Sequence, residues 1–338
     1  MVSPTLLQFG GLTDPTLLLT AIAGGAFGAA IGALPAFIFT GFMVIAGEAV
    51  RVLGIDGVEG ASVTNAGGFT NVIGFGPLFG PHVAFAGGAA AAAYAAKQGY
   101  IDDGKNILWA AGTQKIDVLG IGALFGLFGH ALVTILVGIE WPTDPIATTV
   151  FLSAVVHRVA FGYSIIGEIT GDGLFDVGPW ERDEDDAPGI WLPWQYKWSG
   201  VVAIGLIGGL FGGYTFQATE SVFISFGIAA ASLVFLQCGT DNIPVTHHIM
   251  FPGAFGTMGA SAGIASGSPA LALIFGGLWG AGGALLGEVC NRVFYMHGKT
   301  HVDPPAFAIA LMGILAAAMT AIGVFDANIW FTFETFLG

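Results

Sequence analysis

From Leu17 to Val52 the chain carries no charged side chain until Glu48, and this run is long enough for two crossings of a membrane. A transmembrane helix needs about 20 mostly apolar residues, and Pro35 is placed to divide the run in two. Charged residues make up only 9% of the chain and hydrophobic ones 54%, with a mean hydropathy of +0.79. A soluble domain carries about 25% charged residues, so the pattern predicts an all-α polytopic integral membrane protein. Further apolar spans fall at 81–96, 116–139, 146–166, 200–237 (long enough for two) and 304–325. With the intervening segments the expectation is about nine or ten transmembrane helices.

Two apolar stretches read poorly as continuous helices. The first is 61–80, broken by glycines, Pro77, Asn65 and Asn71, and the second is 243–263, with Pro244 and Pro252 among its glycines. Both are expected to be interrupted, re-entrant segments. They also fall at corresponding places in a duplication. Gly24–Gly28 resembles Gly208–Gly212, Val63-Thr64-Asn65 resembles Val245-Thr246-His247, and Gly87-Gly88 resembles Gly276-Gly277. The order of features suggests two homologous halves. If the first interrupted segment dips and returns, five spans separate equivalent points and the repeats are inverted, an arrangement that places transporter sites at the repeat interface. The resulting division is an N-terminal segment 1–16, a first repeat 17–166, an acidic Trp-rich interfacial connector 167–198 and a second repeat 199–338.

Charge narrows the function. With 9 Lys and Arg against 23 Asp and Glu, the basic footprint of a nucleic-acid reader is missing. A net charge of -14 is unusual for a membrane protein, because cytoplasmic loops normally collect Lys and Arg. Acidic surfaces suit high salt, which predicts a multi-pass protein of a halophilic prokaryote's cell membrane; the bland alternative is one acidic loop, since Glu168, Asp172, Asp176, Glu181 and Asp183 to Asp186 hold 8 of the 23 acids. The first apolar run lacks a preceding basic stretch, so it is expected to stay in the protein rather than act as a signal peptide. Cys238 and Cys290 sit in no metal-ligand spacing and are expected to be free thiols. No GxSxG, HExxH or P-loop is present, so neither an enzyme nor an ATP-driven pump is expected, and no cofactor or metal is implied.

Non-helical backbone in a bilayer must be buried in protein or face water, so the interrupted segments should line a cavity. Thr64, Asn65, Asn71, His82, Thr246, His247 and His248 are the solute-pathway candidates. The bland reading is that these side chains only cap broken helices. Adjacent histidines point in different directions on regular structure, which argues against a metal at His247-His248. Ionisable groups inside a membrane are functional candidates by default. Here they are Asp117, His130, His157 and Arg158, either a proton relay or structural ion pairs, with Asp117 or Glu168 as the expected partner of Arg158. Glu48 with Arg51, and Glu288 with Arg292, have the spacing of self-neutralising pairs at span ends. His297 and His301 read as solvated loop histidines.

The leading expectation is a transporter or channel passing a small solute or ion, passive or ion-coupled, between two repeats. The alternative is a non-transporting scaffold or assembly subunit, whose small-residue faces bind lipid or further copies of itself. Lipids and a homo-oligomer are the expected partners under either reading.

Overall fold

The computed structural model describes residues 10–53, 68–109, 115–169, 171–177, 196–240 and 243–329. Among these residues the fold is all-helical, and five helices are long and apolar enough to cross a membrane. The first half contributes α1 (Pro15–Ile31), α2 (Ala33–Leu53), α3 (Ala84–Lys97), α4 (Ile116–Gly138) and α5 (Pro145–Ala160). The second contributes α6 (Trp198–Thr219), α7 (Phe223–Ser232, extended by a short turn Val234–Gln237), α8 (His247–Ala262), α9 (Pro269–Cys290) and α10 (Pro304–Ala321).

Capping explains several starts. Asp14, Asp144, Ser268 and Asp303 each accept backbone N–H groups of the first turn, and proline follows each one where its missing N–H costs nothing. The break between α1 and α2 falls at Gly32 rather than Pro35. Gly32 has φ of 97°, while Pro35 sits in the first turn of α2, a place that tolerates it. A side chain at Gly32 would also strike the Leu108 carbonyl, because the 98–109 loop lies close against the start of α2, where Leu34 N–H donates to Ile107 O (3.0 Å).

Packing follows the glycines. In the first half α1 lies against α3 and α4, with Gly25 pressed on Gly122 and Gly126. In the second half α6 lies against α8 and α9, with Gly209 pressed on Gly276 and Gly280. Without side chains between them the backbones come into direct contact, the usual way membrane helices gain dispersion energy. The halves join through two helix pairs. Gly41 of α2 meets Ala230 and Ala231 of α7, and Gly227 meets Ile45. Ser221, just before α7, donates to Glu48 near the end of α2, so this pair runs antiparallel. Helices α5 and α10 also run antiparallel: Thr143 donates to Ala310 O, Phe151 packs on Phe307, and Arg158 reaches Thr300.

The two segments expected to be interrupted differ. Residues 54–67 lie outside the described residues, but 68–83 is irregular, with a π-helical turn Thr70–Gly74 followed by turns up to Val83. The second is a correction: from His247 to Ala262 it is one continuous helix with Pro252 inside. Proline removes the N–H that would bond to the His248 carbonyl, and that carbonyl packs on Gly283 of α9 instead. Close helix neighbours thus hold straight a sequence that looks broken.

A second correction concerns the ends. If both interrupted segments returned to the side they entered from, the loops 98–109 and 291–303 would lie on opposite sides; instead Gly104 pairs with Thr300 and Lys105 Nζ donates to Met296 O. Arg292 donates to Tyr196 O beside the start of α6. Both loops therefore cover the same end of the helix bundle.

Candidate functional site

A cavity of about 740 Å³ lies between the two helix pairs that join the halves. Helices α2 and α7 supply Leu34, Phe37, Phe223 and Phe226, and α5 and α10 supply Val150, Ala306 and Ile309. Pro81 and Phe85 at the start of α3, and Val245, His247 and Phe251 at the start of α8, complete it. With Phe75, six phenylalanines line the space. Phe37 meets Phe85 and Phe226 edge-on at 5.8 Å each, so the wall is an interlocked set of rings rather than loose apolar surface.

Its polar groups are few and placed toward the ends. Asp144 and Asp303 cap α5 and α10 while lining the cavity. The loops at one end add Asp103, Lys105, Asn106, Tyr295 and His301. Burial pulls the Lys105 ammonium down to about 8, and its charge is spent on Met296 O (3.2 Å) and on the Tyr295 ring, 4.8 Å from the centroid. His301 Nε2 lies 3.4 Å from Asp303 Oδ1. His247 is 95% buried, with its ring 4.7 Å from that of Phe37 and 5.8 Å from that of Phe226. Among the described residues its Nδ1 has no hydrogen-bond partner.

Of the seven pathway candidates named from sequence, Asn71 and His247 line this cavity. Thr64 and Asn65 lie outside the described residues. The other three do not line it. His82 is buried below α4, with its carbonyl against Gly129, and Thr246 is the buried residue that precedes α8. His248 lays its ring against Gly287 of α9, outside the cavity lining, and meets the His247 ring edge-on at 6.0 Å.

The relay is not assembled. Asp117 is exposed and accepts the Tyr94 and Tyr100 hydroxyls, His130 Nε2 bonds Gly11 O, and His157 Nε2 bonds Thr300 Oγ1. Arg158, fully buried, has neither Asp117 nor Glu168 against it. It donates to Thr300 Oγ1 (2.8 Å), Thr300 O (2.7 Å) and Ile165 O. Three neutral acceptors fix the end of α5 to the 291–303 loop and to the segment that follows α5, so the role is structural bracing. The self-neutralising pairs do form, Arg51–Glu48 at 2.9 Å and Arg292–Glu288 at 2.7 Å. Glu48 does more than neutralise Arg51, because it also accepts Thr70 and Ser221 and so ties the halves together. His297 and His301 are buried rather than solvated, because the loops fold inward over the bundle.

Sequence reasoning passed over Asp144 and Asp303. The signal was present as Asp-Pro immediately before an apolar run, which marks a helix start but does not say that the cap faces a cavity. The phenylalanines were passed over because aromatic residues at helical spacing are ordinarily core.

Residues 8–334 match a protein family described as a family of unknown function. No curated protein and no solved structure matches the chain.

Proposed function

Since the chain belongs to that family, DUF7973, we propose from its cavity that it is a membrane transporter or channel passing a small solute or ion between two inverted repeats. The observation that carries the proposal is the place of the cavity: both halves line it, between the antiparallel pairs α2–α7 and α5–α10. Inverted repeats bring each helix on the pseudo-twofold axis against its own counterpart running the other way, and put the substrate there. The equivalence α1/α6, α2/α7, α3/α8, α4/α9 and α5/α10 accounts for both self-pairs. It also pairs Gly25 with Gly209, Gly129 with Gly283 and His82 with His248 as the same contact made twice. This register replaces the likeness of Gly87-Gly88 to Gly276-Gly277, because Gly87 and Gly253 take the equivalent places against α1 and α6, and that of Val63-Thr64-Asn65 to Val245-Thr246-His247, because His82 is set against His248.

In this reading all ten helices cross the membrane, α3 and the irregular 68–83 segment crossing together. Lys97, Lys105, Lys115, Arg158, Lys197, Arg292 and Lys299 then gather at the end capped by the two loops, and Arg51 at the other. The positive-inside tendency makes the loop end cytoplasmic in the cell membrane, with the acidic composition that of a halophile. No nucleotide motif is present, so flux is passive or ion-coupled, and the protein is not an enzyme. Lipids surround it, and its remaining glycine faces suit a homo-oligomer.

The test is stopped-flow swelling of proteoliposomes against urea, glycerol, tetramethylammonium and acetate. The protein is expected to speed the permeation of at least one solute over protein-free vesicles, and Val150→Trp, which fills the cavity, to return it to baseline. No acceleration for any solute, from folded protein, would overturn the proposal and favour a scaffold.

A further inference from the structure

We infer that the cavity takes a small organic ammonium ion with apolar substituents, a substrate class that rests on the transport reading above. Three independent features of the wall carry this. The first is charge: the lining carries Asp103 and Asp303 at the loop end and Asp144 at the other, against Lys105 as its one Lys or Arg among the described residues, and the lysine is already held by Met296 O and Tyr295. In a low-dielectric enclosure such a balance favours a cation over an anion of the same shape.

The second is unused acceptor capacity. Asp144 takes both of its cap bonds, from Ile146 N–H (2.8 Å) and Ala147 N–H (3.0 Å), on Oδ1. Its Oδ2 has no partner among the described residues. An ionised carboxylate has about four acceptor sites, so the cap leaves room for a ligand N–H. His247, also on the cavity wall, sets its imidazole beside the rings of Phe37 and Phe226.

The third is the wall of rings. Phe37 and Phe226 pack on His247, Phe226 also meets Phe251, and all three line the cavity; aromatic faces attract a desolvated cation while accommodating its alkyl or aryl part. A bare metal ion would find no oxygen cage here, since among the described residues no three His, Cys, Asp or Glu side chains group to hold one. A hydrophobic anion would face the carboxylates.

Binding to detergent-solubilised protein separates this inference from the transport reading. Calorimetry with benzylammonium, benzyl alcohol and benzoate is expected to rank them in that order, the cation at least tenfold tighter than the alcohol and benzoate undetected. In the double variant Asp144→Asn, Asp303→Asn the caps survive, because asparagine caps as well as aspartate, while the charge is lost. The melting midpoint should stay near wild type and the cation should fall to the affinity of the alcohol. Should the double variant not fold, Phe37→Leu alone is expected to weaken the cation about threefold and leave the alcohol unchanged. Equal binding of cation and alcohol by wild type, or tighter benzoate, would overturn the inference even if vesicle flux is observed. Tight cation binding without flux would sustain the site and count against transport.

Discussion

Gly25→Ala is expected to leave little folded protein, and Gly209→Ala to do the same from the other half. A methyl group at Gly25 would lie 2.2 Å from the Gly122 carbonyl oxygen and 2.7 Å from Gly126 Cα. At Gly209 the corresponding distances are 2.4 Å to Gly276 O and 2.9 Å to Gly280 Cα. These neighbours are backbone, so whole helices must move apart rather than a side chain swing aside. Overpacking a core ordinarily costs about 1–3 kcal/mol, and a backbone clash of this depth belongs at or above the top of that range. Gly120, also on α4 but with open space around it, is the control: Gly120→Ala should be neutral or slightly stabilising. Thermal unfolding of purified protein in detergent checks all three. Loss at one of the two glycines only would count against their being the same contact in two repeats.

The second large effect is expected at Arg158. Its side chain is fully buried and its guanidinium donates to Thr300 O and Ile165 O. Arg158→Met keeps most of the volume and removes the donors. Hydrogen bonds from a charged group contribute about 1.5–3 kcal/mol each, so a loss of about 3 kcal/mol or more is expected, with the damage centred on the loop end. Hydrogen exchange should report this as faster exchange in 98–109 and 291–303, while α1 and α6 keep their protection. Arg158→Lys should recover little, because a single ammonium cannot reach acceptors spread as a fork does. Uniform loosening of the whole bundle would contradict the local bracing described here.

Much of the helical layout was legible in the chain, and the reasons are physical. Apolar runs longer than a bilayer is thick announce helices, and Gly24-Gly25 and Gly208-Gly209 announce close backbone approach. Less legible was anything decided by a distant partner. Pro252 and its surrounding glycines look like a break, yet α6 and α9 pack against α8 and hold it helical. Arg158 seemed to demand a carboxylate, and its acceptors turned out to be neutral groups, two of them on Thr300, 142 positions away. His297 and His301 read as loop side chains in water because nothing in their neighbourhood tells that two loops fold inward over the same end. The cavity was half visible. Asn71 and His247 were singled out for their polarity, whereas Asp144 and Asp303 were hidden behind their capping role and the phenylalanines behind their resemblance to ordinary core.

The central claim is that water and solute reach the space between the halves, and single cysteines test it most directly. In a background with Cys238→Ser and Cys290→Ala, cysteines placed at Val150, Phe226 and Ile309 sample α5, α7 and α10 around the cavity. Each is expected to react in sealed vesicles with a membrane-impermeant thiol reagent added from at least one side, at a rate far above that of a cysteine at Ala29, buried between α1 and its neighbours. Protection of all three positions from both sides, in protein that remains folded, would contradict the account.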